Sequence, residues 1–274
     1  MEVTWYPAPA KLNLFLHVLS KRADGYHELQ TVFRLIDRAD RVGIAVRPDG
    51  QIRFSGIFKD ENLCVKAARL LKTETSVRHG CDLALEKTIP VGGGLGGGSS
   101  DAATTLLVLN RLWKTALDAS ELTRVALRLG ADVPFFLLGR NALGEGIGER
   151  LTPLDLPSAW YLVLVPQVSV STKETFASAL TSRGKRLKIP PFFAGQGQND
   201  LEPVVTARYP EVAAALAWLK KHRPQARMTG SGACVFAEFA TEAEARALLS
   251  ALPEGMQGFV ARGLEHHPLD EESK

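Results

Sequence analysis

The most unusual stretch of this sequence is Pro90-Val91-Gly92-Gly93-Gly94-Leu95-Gly96-Gly97-Gly98-Ser99-Ser100-Asp101. Six of the chain's 24 glycines fall within its seven positions 92 to 98. It lies between a predicted strand, Cys81 to Glu86, and a predicted helix, Ala102 to Trp113, which favours a binding loop over a linker. Glycine lets the backbone approach a ligand closely, and a helix start directs N–H groups and a positive dipole end at one spot. The stretch therefore predicts phosphate binding, with Ser99 and Ser100 as hydroxyl donors for phosphate or Mg²⁺.

Other glycine-rich motifs fit this stretch less well. A Walker loop needs a lysine after the glycines, and none follows here. Gly92, Gly94 and Gly97 do satisfy the dinucleotide pattern G-x-G-x-x-G, but that motif also needs an acidic residue at the end of the next strand. Asp118 has the right distance and lies between two predicted helices instead. The H-R-D and D-F-G motifs of protein kinases and the G-x-S-x-G motif of serine hydrolases are absent from the sequence.

Length and composition predict a globular protein of about two domains. The chain has 274 residues, of which 45% are hydrophobic and 23% charged, which is ordinary for a folded protein. A formal net charge of +3 gives little attraction to nucleic acid. Three isolated cysteines and the lack of a signal peptide or an apolar run of about 18 residues predict a cytoplasmic protein without disulfides, a zinc ribbon or a membrane span.

Hydrophobic periodicity and breaker residues predict both strands and helices. The predicted strands are 3–20, 33–36, 41–46, 81–86, 160–165 and 259–262, with a turn at Arg38-Ala39-Asp40 and a strand pair around a glycine turn in 226–239. The predicted helices are 62–72, 102–113, 120–129 with Ser120 as N-cap, a short helix from Asp132 to Leu138, 200–207, 210–222 and 242–252. We expect a long surface loop over 182–198 and a frayed polar tail over 266–274.

Four further stretches accompany the glycine loop in a fixed order. They are Pro7-Ala8-Pro9-Ala10-Lys11-Leu12-Asn13, Asp24-Gly25-Tyr26-His27-Glu28-Leu29, Gly130-Ala131-Asp132-Val133-Pro134-Phe135-Phe136 and Met228-Thr229-Gly230-Ser231-Gly232-Ala233-Cys234. The first and last of these, with the glycine loop, resemble the GHMP kinase superfamily of small-molecule kinases. The other two resemble those superfamily members whose acceptor is a cytidine diphosphate that carries a branched polyol.

The resemblance implies an α+β, two-domain GHMP kinase fold with the active site in the cleft. Residues 1–155 would be similar to the second domain of ribosomal protein S5, and residues 156–274 would be ferredoxin-like. ATP would lie in the glycine loop, with Mg²⁺ neutralising its charge. The implied reaction transfers the γ-phosphoryl to the 2-hydroxyl of 4-diphosphocytidyl-2-C-methyl-D-erythritol, giving the 2-phosphate and ADP, a step of the non-mevalonate isoprenoid pathway.

Two residues match the catalytic positions of that family. Asp132 would take the proton from the attacking hydroxyl; a helix N-cap is the alternative that its position before Val133-Pro134 supports equally. Lys11 lies inside an apolar strand, where an ammonium needs a partner. The family match places it beside Asp132 and the transferring phosphoryl, and a solvent-exposed edge-strand lysine is the alternative.

Five residues are candidates for the acceptor site. Asn13 shares a strand face with Lys11 and would also reach the substrate; a surface asparagine is the alternative. The resemblance implies that Tyr26 stacks on the cytosine and that neutral His27 hydrogen-bonds to its edge; a turn at Gly25-Tyr26 with an ordinary surface aromatic is the alternative. Thr172 and Phe176 are candidates on a looser match, and Phe176 is equally explained as a core residue.

Three other functions stay open at the level of the sequence. The chain could phosphorylate another small alcohol, such as homoserine or mevalonate, although the Gly25-Tyr26-His27 segment argues for a cytosine. It could bind nucleotide without chemistry, or it could be a nicotinamide oxidoreductase. The Gly230 to Gly232 turn is either a second phosphate contact or a simple hairpin. The sequence predicts neither the metal ligands nor the oligomeric state.

Overall fold

A computed structural model describes residues 3–56, 62–178 and 197–271, and these form two sheets with flanking helices. The first sheet contains β1 (Thr4–Lys21), β2 (His27–Arg47), β3 (Ile52–Ser55), β4 (Gly80–Glu86), β5 (Ala142–Gly146) and β6 (Arg150–Pro153). Its order is β3-β4-β2-β5-β6, and β1 pairs with β2. The second sheet contains β7 (Trp160–Leu164), β8 (Arg227–Met228), β9 (Val235–Phe239) and β10 (Gly258–Arg262), in the order β10-β7-β9-β8.

The helices divide between two hydrophobic cores. The first core contains buried residues of α1 (Leu63–Thr75), α2 (Gly97–Leu112), α3 (Ala119–Leu127) and α4 (Val133–Leu138). Helices α5 (Thr172–Ser178), α6 (Glu202–Arg208), α7 (Pro210–His222) and α8 (Glu242–Ser250) contribute to the second, and α9 (Pro268–Glu271) follows β10. Among the described residues, no helix has the length and apolar character needed to span a membrane.

The predicted turn at Arg38-Ala39-Asp40 is wrong, because β2 continues through it as a bulged strand. Pro9 pairs with Ala39 and Ala10 with Ile36, so two residues of β2 have no partner on β1. The carboxylate of Asp40 is buried and accepts the backbone N–H of Ile89 at 2.8 Å. This contact, remote in sequence, holds the backbone extended where the local composition favours a turn.

Helix starts and glycine-containing strands are the other differences from the prediction. Helix α2 begins at Gly97 and not at Ala102. The N-cap of α3 is Asp118 and not Ser120, since Asp118 and Glu121 form a reciprocal capping box. The short strands β3, β5 and β6 were not predicted. In β5, Gly144 weakens the sequence pattern that would predict a strand. Glycine is nevertheless required there, because a Cβ would lie 2.6 Å from the Phe33 ring.

The predicted fraying of the tail is wrong for residues 266–271, which return to the first core. The backbone N–H of His267 donates to the Gly139 carbonyl at 2.7 Å, and His266 pairs with Arg140. Leu269 is buried in the first core. Apolar contact therefore outweighs the polar composition of this segment.

The domain division at residues 155 and 156 stays a prediction. The two sheets lie on either side of it, whereas the residues after β10 pack on the first core. The loop predicted over 182–198 lies outside the described residues except at 197 and 198.

We expect Leu269→Ala to lower the free energy of unfolding by about 2–5 kcal/mol, as a buried leucine does when it is truncated. Urea denaturation measures the change. Glu265→Ala, an exposed residue of the same segment, is the control and should stay within about 0.5 kcal/mol. A frayed tail would leave both variants as stable as the parent.

Candidate active site

Two cavities share the glycine loop, residues 90–98, as a wall. The first, of about 420 Å³, is lined by the loop and by Lys11, Asn13, Thr31, Phe33, Ser99, Asp132, Thr172, Phe176 and Gly230 to Gly232, among others. The second, of about 450 Å³, is lined by Phe54, Asn62, Leu63, Leu85, Lys87, the loop and Asp101. The first cavity is rich in polar groups, and the second has a largely apolar wall.

The start of α2 supplies an anion-binding geometry to the first cavity. Gly96, the N-cap residue, has a φ of 73°, and no side chain caps the helix. Gly97, Gly98 and Ser99 line the cavity, and the first turn carries no acidic residue. The first N–H groups of a helix lack partners within it and carry the positive dipole end, so this end of α2 suits a phosphate.

The glycine loop lies directly against the β8–β9 turn of the second sheet. The N–H groups of Ala233 and Cys234 each donate at 3.2 Å, to the carbonyls of Gly92 and Gly93. Gly94 has a φ of +75°, and a Cβ there would lie 2.3 Å from the Thr229 carbonyl oxygen. This position requires glycine for both its backbone conformation and its close contact.

Lys11 projects from β1 into the first cavity and is almost fully buried, with 3% of its side chain exposed. Its ammonium donates to the Gly94 carbonyl at 3.0 Å and to Oδ1 of Asn13. It also lies 3.5 Å from the Asp132 carboxylate. A solvent-exposed edge lysine is therefore wrong, and the partner that a buried ammonium needs is present.

Asp132 occupies the N-cap position of α4 without capping it. No hydrogen bond runs from its side chain to the helix, and its backbone is already helical. With 34% of its side chain exposed, Asp132 faces Lys11 across the cavity. The arrangement leaves its carboxylate available to a ligand.

Asn13 is buried, so the alternative of a surface asparagine is wrong. Besides accepting from Lys11, its amide donates to the Thr31 hydroxyl at 2.8 Å. Its backbone N–H donates to the Thr229 hydroxyl at 2.9 Å. These bonds fix Asn13 between the first sheet and the β8–β9 turn.

Of the candidates for binding the acceptor base, Phe176 lines the first cavity, and His27 lies against Phe176 without lining either cavity. The rings of His27 and Phe176 are 5.4 Å apart and inclined by 31°. Burial, with a smaller contribution from Lys21, lowers the pKa of His27 below 6.5. The imidazole is thus uncharged at pH 7 and offers one donor and one acceptor. The hydroxyl of Thr172 lies 2.8 Å from that of Ser231.

Three predicted site residues, His27, Tyr26 and Ser100, line neither cavity. Tyr26 is 58% exposed at the tip of the β1–β2 hairpin and lines neither cavity. Ser100 is fully buried, its hydroxyl has no hydrogen-bond partner, and it also lines neither cavity. Ser99 is the serine of the loop that lines the first cavity.

The sequence analysis missed an ion cluster beside the second cavity. Lys87 donates to Asp101 at 2.8 Å and also to Asp40. Burial raises the pKa of Asp101 to about 7. Lys87 directly follows β4, and its charge was a signal of this cluster in the sequence, since residues at strand ends next to a binding loop often carry function.

Asn199 was also missed, and no local motif marks it. It is buried and donates to the carbonyls of Met228 and Gly230. The described residues hold no group of three or more histidine, cysteine or acidic side chains placed to bind a metal ion.

Models of two protein families match this chain. The GHMP kinases N terminal domain matches residues 62–140, and the GHMP kinases C terminal domain matches residues 190–258. A 4-diphosphocytidyl-2-C-methyl-D-erythritol kinase of Nitrosospira multiformis is 58% identical over 96% of this chain and 92% of its own length. The same-named protein of Thiobacillus denitrificans is 58% identical over 96% of both chains.

Solved structures show the same fold. A crystal structure of 4-(cytidine 5'-diphospho)-2C-methyl-D-erythritol kinase superposes with a TM-score of 0.84 at 36% identity, covering 95% of this chain and 99% of its own. A homoserine kinase of Cytophaga hutchinsonii superposes with a TM-score of 0.74 at 17% identity, covering 97% and 96%. The two-domain α+β architecture of the GHMP kinases is therefore confirmed.

We expect Gly94→Ala to lower the free energy of unfolding by at least about 1 kcal/mol, because alanine resists the left-handed backbone and its Cβ would meet the Thr229 carbonyl. Chemical denaturation without ligand measures this. Gly98→Ala is the matched control: its Cβ would approach only Leu63, at 3.4 Å. Equal stability of the two variants would contradict the close packing of the loop.

Proposed function

Since the chain belongs to the 4-diphosphocytidyl-2-C-methyl-D-erythritol kinase family and is an ATP-dependent small-molecule kinase, we propose that Lys11 and Asp132 form its catalytic pair. The reaction is transfer of the γ-phosphoryl of ATP to the 2-hydroxyl of the cytidyl acceptor. The observation that carries the assignment is the 3.5 Å separation of the Lys11 ammonium and the Asp132 carboxylate beside the start of α2.

Asp132 accepts the proton of the acceptor hydroxyl in this proposal. The hydroxyl oxygen forms a bond to the γ-phosphorus, and the bond from that phosphorus to the β,γ-bridging oxygen breaks, which releases ADP. Phosphoryl transfer depends mainly on positioning and on stabilisation of charge, so a carboxylate held in place by Lys11 is sufficient as the base. The uncapped geometry of Asp132 supports this role over that of an N-cap.

Lys11 stabilises the charge on the transferring phosphoryl group. Its ammonium is held by Gly94 and Asn13, in addition to Asp132. Donors that are fixed before the reaction need no reorganisation when charge develops, which is the usual source of electrostatic catalysis. A buried, three-partner ammonium fits that requirement better than a flexible surface lysine.

The glycine loop holds ATP across the two cavities. The phosphates lie at the start of α2, where backbone N–H groups and the dipole favour anions. The nucleoside occupies the second cavity, whose apolar wall of Phe54, Leu63 and Leu85 suits a flat base. Residues 90–100 are all assigned to nucleotide binding, although Ser100 is buried in the first turn of α2 and lines neither cavity.

The acceptor lies in the first cavity, with its cytosine beside Phe176, whose ring lies against that of His27. The neutral imidazole hydrogen-bonds to the base edge, and Phe176 stacks on one face. Tyr26 directly precedes His27 in the chain, and its exposed ring is available to stack on the other face of the base. Asn13 and Thr172 bind the polyol and diphosphate portion.

The residues of the first cavity fit a Mg²⁺ ion that arrives with ATP. The Ser99 hydroxyl is a hard oxygen donor that lines this cavity and would hold the ion together with the ATP phosphates. Mg²⁺ is commonly held by one or two protein oxygens together with substrate phosphates, which agrees with the lack of a larger ligand cluster among the described residues. When bound, the ion neutralises the phosphate charge.

A cytosolic site of action completes the proposal. Cys64, Cys81 and Cys234 are all free thiols, as in a reducing compartment. The formal charge of +3 supports a small-molecule substrate over nucleic acid.

We expect the enzyme to release ADP from ATP and Mg²⁺ with the cytidyl acceptor, but not with mevalonate or homoserine. Asp132→Asn and Lys11→Met should each lower kcat by about two to four orders of magnitude, and ATP should still bind. Asp118→Asn, which alters the N-cap of α3 outside both cavities, is the control and should retain kcat. ATP binding without turnover of any alcohol would favour a non-catalytic protein.

We expect the KM for the acceptor to be constant above pH 6.5 and to rise as the pH falls further. The pKa of His27 is lowered, so the neutral form persists above pH 6.5 and is lost in acid. In His27→Gln, whose amide keeps one donor and one acceptor at every pH, the same KM should vary little between pH 5 and 7. Steady-state kinetics over this range measure both. Identical pH profiles would exclude His27 from base recognition.

A further inference from the structure

Asn199 lies where the two sheets meet, in a short segment that precedes α6. The segment is joined to β1, because Leu16 donates to the Gln198 carbonyl at 3.0 Å and Asp200 donates to the Leu16 carbonyl at 2.9 Å. Asn199 itself is buried and lines neither cavity. Any effect on the reaction must therefore pass through its neighbours.

The amide nitrogen of Asn199 holds the β8–β9 turn, and its amide oxygen holds the segment before α6. Nδ2 donates to the carbonyl of Met228 at 2.9 Å and to that of Gly230 at 2.8 Å. Oδ1 accepts the backbone N–H of Leu201 at 2.9 Å. The Asn199 side chain thus connects Met228 and Gly230 to the segment before α6, which is itself hydrogen-bonded to β1.

The β8–β9 turn lies against the two uncharged oxygen atoms that accept hydrogen bonds from the Lys11 ammonium. A Cβ on Gly230 would lie 2.8 Å from the Gly94 carbonyl oxygen and 3.3 Å from Oδ1 of Asn13. These are the same two oxygens to which Lys11 donates. A displacement of Gly230 would therefore move both acceptors or open a gap beside them.

We propose that Asn199 is a positioning residue for phosphoryl transfer, which fixes the Gly230 turn and through it the place of the Lys11 ammonium. The inference rests on the proposed function of Lys11. Misplacement of a reacting geometry lowers the rate of the chemical step more than it weakens binding. Loss of an outer residue that orients a functional ligand commonly reduces function by about 10- to 100-fold.

A double-mutant cycle tests this role. Asn199→Asp keeps the shape of the side chain but replaces two donors with an acceptor, and Asn199→Ala removes the donors without adding charge. Each is made in the parent and in Lys11→Met, and kcat is divided by the fraction of active sites, taken from the stoichiometry of ATP binding by calorimetry. The use of two variants guards against the failure of one to fold.

We expect both Asn199 variants to lower kcat at least tenfold in the parent and less than threefold in Lys11→Met, with each KM within threefold of its reference. Groups that act through one another are non-additive in such cycles. Asp200→Asn is the control. Asp200 accepts the Val18 N–H at 2.9 Å, and the amide oxygen of asparagine can accept the same hydrogen bond. The segment therefore stays joined to β1, and kcat of Asp200→Asn should stay within about twofold of the parent.

An equal loss of kcat in both backgrounds would show a general structural role and overturn the inference, as would an unchanged kcat in the parent. If the unmodified enzyme fails to turn over the cytidyl acceptor, the proposed function itself is wrong. The outcomes that overturn the inference require an active parent enzyme, whereas the proposed function fails when the parent enzyme is inactive. The two failures can therefore be told apart.

Discussion

The buried ammonium of Lys11 is the constraint around which this site is assembled. A charge removed from water is unfavourable unless it is paired and hydrogen-bonded, and here three elements provide its partners. Gly94 belongs to the glycine loop, Asn13 to β1 and Asp132 to the start of α4. Because these elements are far apart in sequence, satisfying one charge fixes their relative positions, and the same contacts bring the candidate base beside the phosphate-binding helix end.

The glycine loop depends on the second sheet as much as on the first. Its carbonyls at positions 92 and 93 accept hydrogen bonds from the β8–β9 turn, and Gly94 has no room for a Cβ against Thr229. The loop is thus held in shape by the protein itself, so little ordering would be needed if ATP binds there as proposed. This explains why both halves of the chain carry a short glycine-rich motif: each backbone must approach the other, and together they leave room for phosphates.

Local patterns in the sequence were enough to predict the glycine loop and most of the strands and helices, whereas the candidates Lys11 and Asp132 came from the resemblance to a family and not from local pattern. The errors have a common physical cause. The backbone at Asp40, where a turn was predicted, is held extended by a hydrogen bond from Ile89. Leu269, in the tail, is buried in the first hydrophobic core, whose other residues come earlier in the sequence. Asn199 donates to carbonyls about 30 positions away. Hydrophobic periodicity and turn propensity report on neighbours along the chain, so contacts between distant segments leave no such pattern.

The distribution of charge indicates how binding and catalysis are separated. Of the described residues that line the first cavity, Lys11 is the one cation, although both proposed substrates are highly anionic. Lys87 is already paired with two carboxylates. In the proposed complex, ground-state affinity for the phosphates would then come mainly from the backbone N–H groups at the start of α2. Interactions accelerate a reaction only when they strengthen in the transition state. The Lys11 ammonium lies beside the proposed base, where charge shifts during transfer. It is therefore the group best suited to bind the transition state more strongly than the ground state.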